Sequence, residues 1–241
     1  MRAELAEAQI LAWNRLAEPG VWWTAAERLA IAAETRHAAS CPLCRDRAAA
    51  LMPSAIEGEH QRLDSPLAEP AIEAIHRICA DPGRLSESWF LRLQQAGLAE
   101  EAYAELVAIV AVVKATDTAR RASGLPALEF PSPQPGEPSR IRPAGARPGL
   151  GWLATLAPED RTPADPDLYG DHPGPRRRPG ANIQRALSLV PPAMIHWWDL
   201  LEQMYQSSQQ MRDFTREYRA ISHAQIECLA ARVAAINRCE Y

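Results

Sequence analysis

Apolar residues recur at helical spacing through most of the chain, and the alternation of apolar and polar residues that builds strands is almost absent. The segment from Ala3 to Leu16 is rich in alanine and has apolar residues three or four positions apart. The stretch from Leu106 to Val113 is apolar on almost every side, which is typical of a buried helix. The pattern therefore predicts an all-α fold.

Start and stop signals indicate where the helices begin and end. Thr24, with Glu27 three residues later, has the pattern of a capping box, and Ser86 and Ser222 are further N-cap candidates. Gly97 is typical of a helix end. The predicted helices cover residues 3–16, 25–38, 41–52, 69–79, 86–95, 100–123, 182–189, 192–207 and 222–236.

Prolines are concentrated in the middle of the chain. More than half of the 21 prolines lie between Pro126 and Gly180, and no alternating pattern replaces the excluded helix. We expect an extended connector over 127–181. It would join a helical unit at 1–126, which contains the close cysteine pair, to a second and incomplete helical unit at 182–241.

Composition and charge exclude several classes of function. Hydrophobic residues make up 47% and charged residues 23%, which is ordinary for a globular protein. The net charge of -4 argues against nucleic acid as a partner. No apolar stretch is long enough to cross a bilayer, and the N-terminal segment lacks the pattern of a signal peptide. We therefore expect a cytoplasmic protein without a membrane partner.

The cysteines suggest thiol chemistry. An odd total of 5 in a chain of this length does not indicate a secreted disulfide scaffold. Cys41-Pro42-Leu43-Cys44 follows a possible cap at Ser40, so the pair should begin a helix. Because the N-terminus of a helix stabilises a thiolate, we predict a redox-active dithiol. Cys79 and Cys228 lie on apolar helix faces and are expected in the core.

A thiol nucleophile needs a group that accepts its proton. Near Cys41 and Cys44 in sequence, the candidates are Glu27, Glu34 and His37. The alternatives are that the two thiols are inert core residues or that they bind a metal.

The metal alternative has a definite ligand set. His37, Cys41 and Cys44 have plausible zinc spacing, and His60 or His76 could be a fourth ligand. A strong zinc signature would contain a second Cys/His pair at short spacing, which is missing. We therefore predict no cofactor, and we interpret His60 and His76 as ordinary surface or core histidines.

Two segments of the chain have a similar plan. Thr24–Cys41 aligns without a gap on Ser222–Cys239, and each has a capped alanine-rich helix, a break and then a cysteine. We interpret this similarity as an internal duplication.

The C-terminal segment resembles the carboxymuconolactone decarboxylase and AhpD-like alkylhydroperoxidase superfamily. Glu227 and Cys239 have the spacing of the first half of its motif Glu-x11-Cys-x2-Cys-x3-His. The N-terminal unit, with Cys41 and Cys44, is similar to a divergent copy of the same unit. The resemblance implies an AhpD-like helical bundle, a thiol-dependent hydroperoxidase, a small peroxide as substrate, a protein thiol as reductant and a homo-oligomer. With the local candidates, the predicted catalytic residues are Cys41, Cys44, Glu34, His37, Glu227 and Cys239.

The chain departs from the family motif in both copies. Leu29 aligns with Glu227, Ala48 stands where the first copy would have its histidine, and the sequence ends at Tyr241, where the family's second cysteine would come next. The second copy is therefore expected to be incomplete. Two alternatives remain open: a decarboxylase-like enzyme of the same superfamily that needs no dithiol, and a non-catalytic helical oligomer.

Overall fold

The computed structural model describes residues 1–149, 151–169, 182–207 and 209–237. Regular structure in this part of the chain is helical, and its only strand-like pairing is an isolated antiparallel bridge between Arg147 and Thr155. The predicted all-α fold is confirmed. The α-helices are α1 Ala3–Arg15, α2 Ala25–His37, α3 Pro42–Ala49, α4 Glu69–Ala80, α5 Glu87–Gln95, α6 Glu100–Ala122, α7 Asn182–Arg185, α8 Pro191–Met204 and α9 His223–Ile236.

Helix α6 forms the centre of the fold, as its apolar sequence predicts. Helices α1, α2, α4 and α8 all pack against it. The largest hydrophobic cluster includes Ile31 of α2, Ile72 of α4, Leu106 of α6 and Leu200 of α8. Burial of side chains of this size stabilises the fold by about 1.5–3 kcal/mol each relative to leaving them exposed.

Capping boxes begin α2, where the sequence predicts one, and α9, where the sequence predicts only an N-cap at Ser222. The Thr24 hydroxyl accepts a hydrogen bond from the backbone N–H of Glu27 (3.3 Å), and the Glu27 carboxylate accepts one from the backbone N–H of Thr24 (2.9 Å). Ser222 and Gln225 form the corresponding pair at α9. Each box satisfies two backbone donors that have no partner within the helix.

Three helices end three or more residues earlier than predicted. Helix α3 ends at Ala49 because Ala50 has an extended backbone, and α8 ends at Met204 because Tyr205 leaves the helical region. Helix α7 has only 4 residues. The turn after it places Leu189 and Val190 in a buried cluster, which a continuing helix would not reach in the same way.

The described part of the connector contains no α-helix, only the short 3-10 helix Pro158–Asp160, and hydrogen bonds hold it against the helices. The Trp13 indole donates to the Glu129 carbonyl (2.8 Å), and the backbone N–H of Gln134 donates to the Ala17 carbonyl (2.8 Å). Leu156, farther along, is fully buried. The three-part division of the chain stays a prediction, but α8 packs directly on α1 and α6 of the first predicted unit.

Among the helices of more than 4 residues in the described part of the chain, only α9 has no buried residue. The expectation that Cys228 lies in the core is therefore wrong, since this residue is exposed. Among the helices that the structure describes, none is both long enough and apolar enough to span a lipid bilayer.

Candidate functional site

The side chains of two cysteines and two histidines lie close together near the start of α3. Cys41 precedes α3, Cys44 lies in its first turn, His60 lies in the loop between α3 and α4, and His76 belongs to α4. One side-chain nitrogen or sulfur atom from each residue lies within 4.8 Å of all the others. The cysteines and His76 are buried, and only 6% of the His60 side chain is exposed. The cluster is therefore enclosed by protein.

The start of α3 brings the two sulfurs together. Cys41 is the N-cap residue with an extended backbone, and Pro42 occupies the first turn, where its missing N–H costs nothing. Cys44 then follows on the first turn, facing the same side as Cys41. Leu43, Ile56 and the two cysteines form a small hydrophobic cluster of their own.

A buried chain of contacts leads from Cys44 to Glu34. The Cys44 Sγ atom lies 3.2 Å from His76 Nδ1, and His76 Nε2 lies 2.9 Å from Glu34 Oε1. The other Glu34 oxygen accepts a hydrogen bond from the backbone N–H of Leu63 (3.0 Å). Glu34 and His76 are fully buried. The carboxylate therefore holds the Nε2 proton of the imidazole, and Nδ1 faces the sulfur with its lone pair.

His60 repeats this arrangement with Glu73. His60 Nδ1 lies 3.6 Å from Cys41 Sγ and 3.5 Å from Cys44 Sγ, while Nε2 lies 2.7 Å from Glu73 Oε2. Glu73 also accepts hydrogen bonds from the Arg47 guanidinium and the Trp89 indole, each at 3.0 Å. Both imidazoles thus present the same nitrogen to the sulfurs and the same nitrogen to a carboxylate.

The two thiols differ in acidity. Burial opposes ionisation of Cys41, but hydrogen bonds from the backbone of Cys44 and Gln61 and from His60 outweigh it and lower the Cys41 pKa. Burial, together with the neighbouring Cys41, raises the pKa of Cys44 to about 12. Cys41 therefore loses its proton more easily than Cys44 does.

The histidines also differ. Burial lowers the pKa of His60, but contacts with Glu73 and Cys41 outweigh it and leave that pKa raised. Burial dominates at His76, and the pKa of this imidazole is lowered despite its hydrogen bond to Glu34. The pKa of Glu73 falls to about 2, because hydrogen bonds from His60 and Trp89 and the Arg47 charge outweigh the effect of burial.

This donor set suits two kinds of chemistry. A thiol beside an imidazole that a carboxylate orients is the arrangement of an activated nucleophile. Two thiolates and two imidazoles around a common centre are also the ligands that soft or borderline metal ions prefer.

The structure brings together part of the predicted site. Cys41 and Cys44 belong to the cluster, and Glu34 contacts it through His76. His37 is not a member of the cluster, so the alternative ligand set is corrected: His60 and His76 both join the cysteines, and His37 does not. Glu27, the other carboxylate near the pair in sequence, belongs to the capping box of α2.

The structure places His60 and His76, which we interpreted as ordinary surface or core histidines, beside the two cysteines, and Glu73 was missed altogether. The sequence did contain a signal that relates Glu73 to His76. Glu73 and His76 are three residues apart, so they project from neighbouring positions on one helix face. His60 lies in a loop, and no periodic pattern connects it with the cysteines.

The predicted residues of the second unit are not part of this cluster. Glu227 lies on α9 with its side chain 52% exposed, and it accepts a hydrogen bond from the Tyr205 hydroxyl (2.7 Å). Cys239 lies outside the described residues. The roles assigned to these two residues stay predictions.

Comparisons of the chain with protein-family models, curated proteins and solved structures found no match. The functional argument therefore depends on the residues themselves and on their geometry.

Proposed function

We propose that the protein is a thiol-dependent oxidoreductase that reduces a hydroperoxide and cycles Cys41 and Cys44 between dithiol and disulfide. The observation that carries this proposal is the convergence of two Cys–His–Glu chains on a single Cys-x2-Cys pair. The resemblance to AhpD-like alkylhydroperoxidases supports the same class of reaction. In this chain, however, the histidines come from positions outside the family motif.

Cys41 is the attacking sulfur in this proposal. It is the N-cap residue of α3, interactions with the backbone of Cys44 and Gln61 and with His60 lower its pKa, and His60 Nδ1 lies 3.6 Å away. The thiolate attacks the outer oxygen of ROOH, the O–O bond breaks, and Cys41 becomes a sulfenic acid. The leaving alkoxide takes a proton from the His60 imidazolium and departs as ROH.

Cys44 resolves the sulfenic acid. His76 Nδ1, 3.2 Å from Cys44 Sγ, accepts the thiol proton, and Glu34 stabilises the imidazolium that forms. The Cys44 sulfur then attacks the Cys41 sulfur, an S–S bond forms, and the hydroxyl leaves as water after taking up that proton. An external dithiol returns the pair to the reduced state and is itself oxidised to a disulfide.

Enclosure of the site limits the substrate. Cys41 and Cys44 are only 2% and 3% exposed. Hydrogen peroxide or a short alkyl hydroperoxide can approach such a sulfur more easily than a bulky lipid hydroperoxide can. We therefore propose a small peroxide as the substrate.

The test is peroxide oxidation of the reduced full-length protein in the presence of a metal chelator. Hydrogen peroxide should produce a Cys41–Cys44 disulfide, seen by peptide mass spectrometry as the loss of two hydrogens, and dithiothreitol should reverse it. In Cys44→Ser, a sulfenic-acid reagent should label Cys41, whereas Cys41→Ser should yield no labelled sulfur.

Cys79→Ser is the matched control, because Cys79 is a thiol on α4 outside the cluster, where its sulfur contacts the Thr35 carbonyl. This variant should form the disulfide at the rate of the unmodified protein. Failure of excess peroxide to form the Cys41–Cys44 disulfide, or equal loss of the reaction in Cys79→Ser, would show that the proposal is wrong.

A further inference from the structure

The four buried donors have the spacing of a tetrahedral metal site. Zinc bonds of about 2.3 Å to sulfur and about 2.0–2.1 Å to nitrogen place sulfur and nitrogen ligands roughly 3.6 Å apart at a tetrahedral angle. The sulfur–nitrogen separations here are 3.6 Å for Cys41–His60, 3.5 Å for Cys44–His60 and 3.2 Å for Cys44–His76. These three separations lie within a few tenths of an ångström of those in a zinc centre, and all four donor atoms lie within 4.8 Å of one another.

The ring orientations supply a second, independent observation. His60 and His76 both direct Nδ1 toward the sulfurs, and both donate from Nε2 to a carboxylate, Glu73 and Glu34 respectively. A histidine that binds a metal typically donates its other ring nitrogen to a carboxylate or carbonyl, which fixes the tautomer and the ring orientation. A neutral imidazole of this tautomer presents a lone pair to the centre of the cluster.

Charge and ligand type favour zinc among the common divalent ions. Two thiolates balance the charge of Zn²⁺, so a buried centre with two neutral imidazoles carries no net charge of its own. Sulfur and imidazole donors suit Zn²⁺, whereas Mg²⁺ and Ca²⁺ prefer oxygen ligands. Four protein ligands also leave no coordination position for water, which is typical of structural zinc sites and not of catalytic ones.

We propose that the reduced protein binds one Zn²⁺ ion through Cys41 Sγ, Cys44 Sγ, His60 Nδ1 and His76 Nδ1. The ion connects the start of α3, the α3–α4 loop and α4. The inference goes beyond the redox function proposed above and does not depend on it, because it concerns only the reduced thiols. The two states exclude each other: sulfurs bound to zinc are not available to form the disulfide.

The test is metal binding by the reduced full-length protein after removal of any metal with a chelator under anaerobic conditions. Zn²⁺ titration should saturate at one equivalent and should raise the midpoint of thermal unfolding. Co²⁺ should produce the intense visible bands of a tetrahedral ion and a near-ultraviolet band from thiolate-to-cobalt charge transfer. Weak octahedral Co²⁺ bands, or less than stoichiometric Zn²⁺ in the unmodified protein, would overturn the proposal without any variant.

Variants identify the ligands. His76→Ala should abolish stoichiometric binding, and Glu73→Gln, which leaves all four ligands in place, should weaken it by about 10- to 100-fold. The matched controls are His37→Ala and Cys79→Ser, which remove a histidine and a thiol outside the cluster and should bind as tightly as the unmodified protein. Circular dichroism of each variant separates lost binding from lost folding. Unchanged affinity in a folded His76→Ala, or equal loss in His37→Ala, would contradict the assignment.

The outcome is distinguishable from that of the redox experiment. Disulfide formation in the chelated protein together with no stoichiometric metal binding would remove the zinc proposal alone. Tight metal binding without a peroxide-induced disulfide would remove the oxidoreductase proposal alone.

Discussion

His196 is a partly buried imidazole that lies close to two arginines. It belongs to α8, and the charges of Arg15 on α1 and Arg28 on α2 oppose its protonation, whereas Asp199 on its own helix favours it. Burial is the largest effect, and together these influences lower the pKa of His196 to about 4. The folded protein therefore keeps this imidazole neutral at pH values where the unfolded chain takes up a proton.

The free energy of unfolding should consequently fall as the pH drops from about 6.5 toward about 4, since only the unfolded state gains the proton in that window. Between pH 7 and pH 5, we expect the unmodified protein to lose about 1 kcal/mol more stability than His196→Gln, after allowance for screening by solvent. Urea unfolding of both proteins at the two pH values measures this difference. Identical losses would show that His196 does not titrate abnormally.

Some residues of the candidate site can be predicted from the sequence, and others cannot. The thiol pair at the start of α3 is recognisable because proline in the first turn and the close spacing are local signals. Glu34 can be proposed because it precedes the pair by only a few residues. His60 and His76 become part of the site only through the packing of α3 and α4 and through the path of a loop, neither of which has a periodic signature.

Helices α2 and α9 begin in the same way and end in different environments. Both have a complete capping box. Helix α2 packs on α4 and α6 and buries Ile31, whereas none of the residues of α9 is buried. We therefore expect the two capping boxes to contribute differently to the stability of the whole chain.

Thr24→Ala should lower the free energy of unfolding by about 1 kcal/mol, because it leaves backbone donors of a packed helix without a partner. Ser222→Ala is the matched control. It removes the same kind of cap from a helix that can open without exposing the core, so the global change should stay within about 0.5 kcal/mol. Chemical denaturation of the two variants measures both values. Equal losses would mean that α9 unfolds together with the rest of the protein.

At the scale of elements, the sequence predicts the existence of the helices better than their ends. Caps such as Thr24 and Ser86 are local chemistry and can be read directly. The early end of α7 follows from the burial of Leu189 and Val190 against residues far away in the chain, so no local signal marks it. The exposure of α9 also contradicts its apolar pattern, because burial depends on a surface to pack against.

Helix α8 lies late in the chain and packs against the first helix and the central helix of the fold. It packs on α1 and α6, where Leu200 joins the largest hydrophobic cluster and Met194 packs near Ala108. A chain that ends at residue 126 would expose those faces of α1 and α6 to water. It should therefore have a lower midpoint of thermal unfolding than the full chain.

A chain that ends at residue 207 is the matched control, because it lacks α9 but keeps α8. Its unfolding midpoint should stay close to that of the full chain. Calorimetry of the three proteins makes the comparison. If the 126-residue chain unfolded at the temperature of the full chain, the first predicted unit would be an independent domain, as the sequence suggests.

The predicted division of the chain depends on composition. Composition indicates where helices are excluded, but it does not indicate which segments pack against each other. In the described part of the connector, the prolines coincide with a segment that contains no α-helix. They give no indication that Leu156 is fully buried or that the Trp13 indole binds the Glu129 carbonyl. Such contacts depend on the complementarity of distant surfaces.

The ligand and relay residues of the cysteine–histidine cluster all lie between Glu34 and His76. Contacts of short sequence separation cost little loop-closure entropy and form early in folding. During synthesis, which proceeds from the N-terminus, α2, α3 and α4 emerge before α8 exists. The residues of the cluster are thus all synthesised while the last helix of the core is still missing.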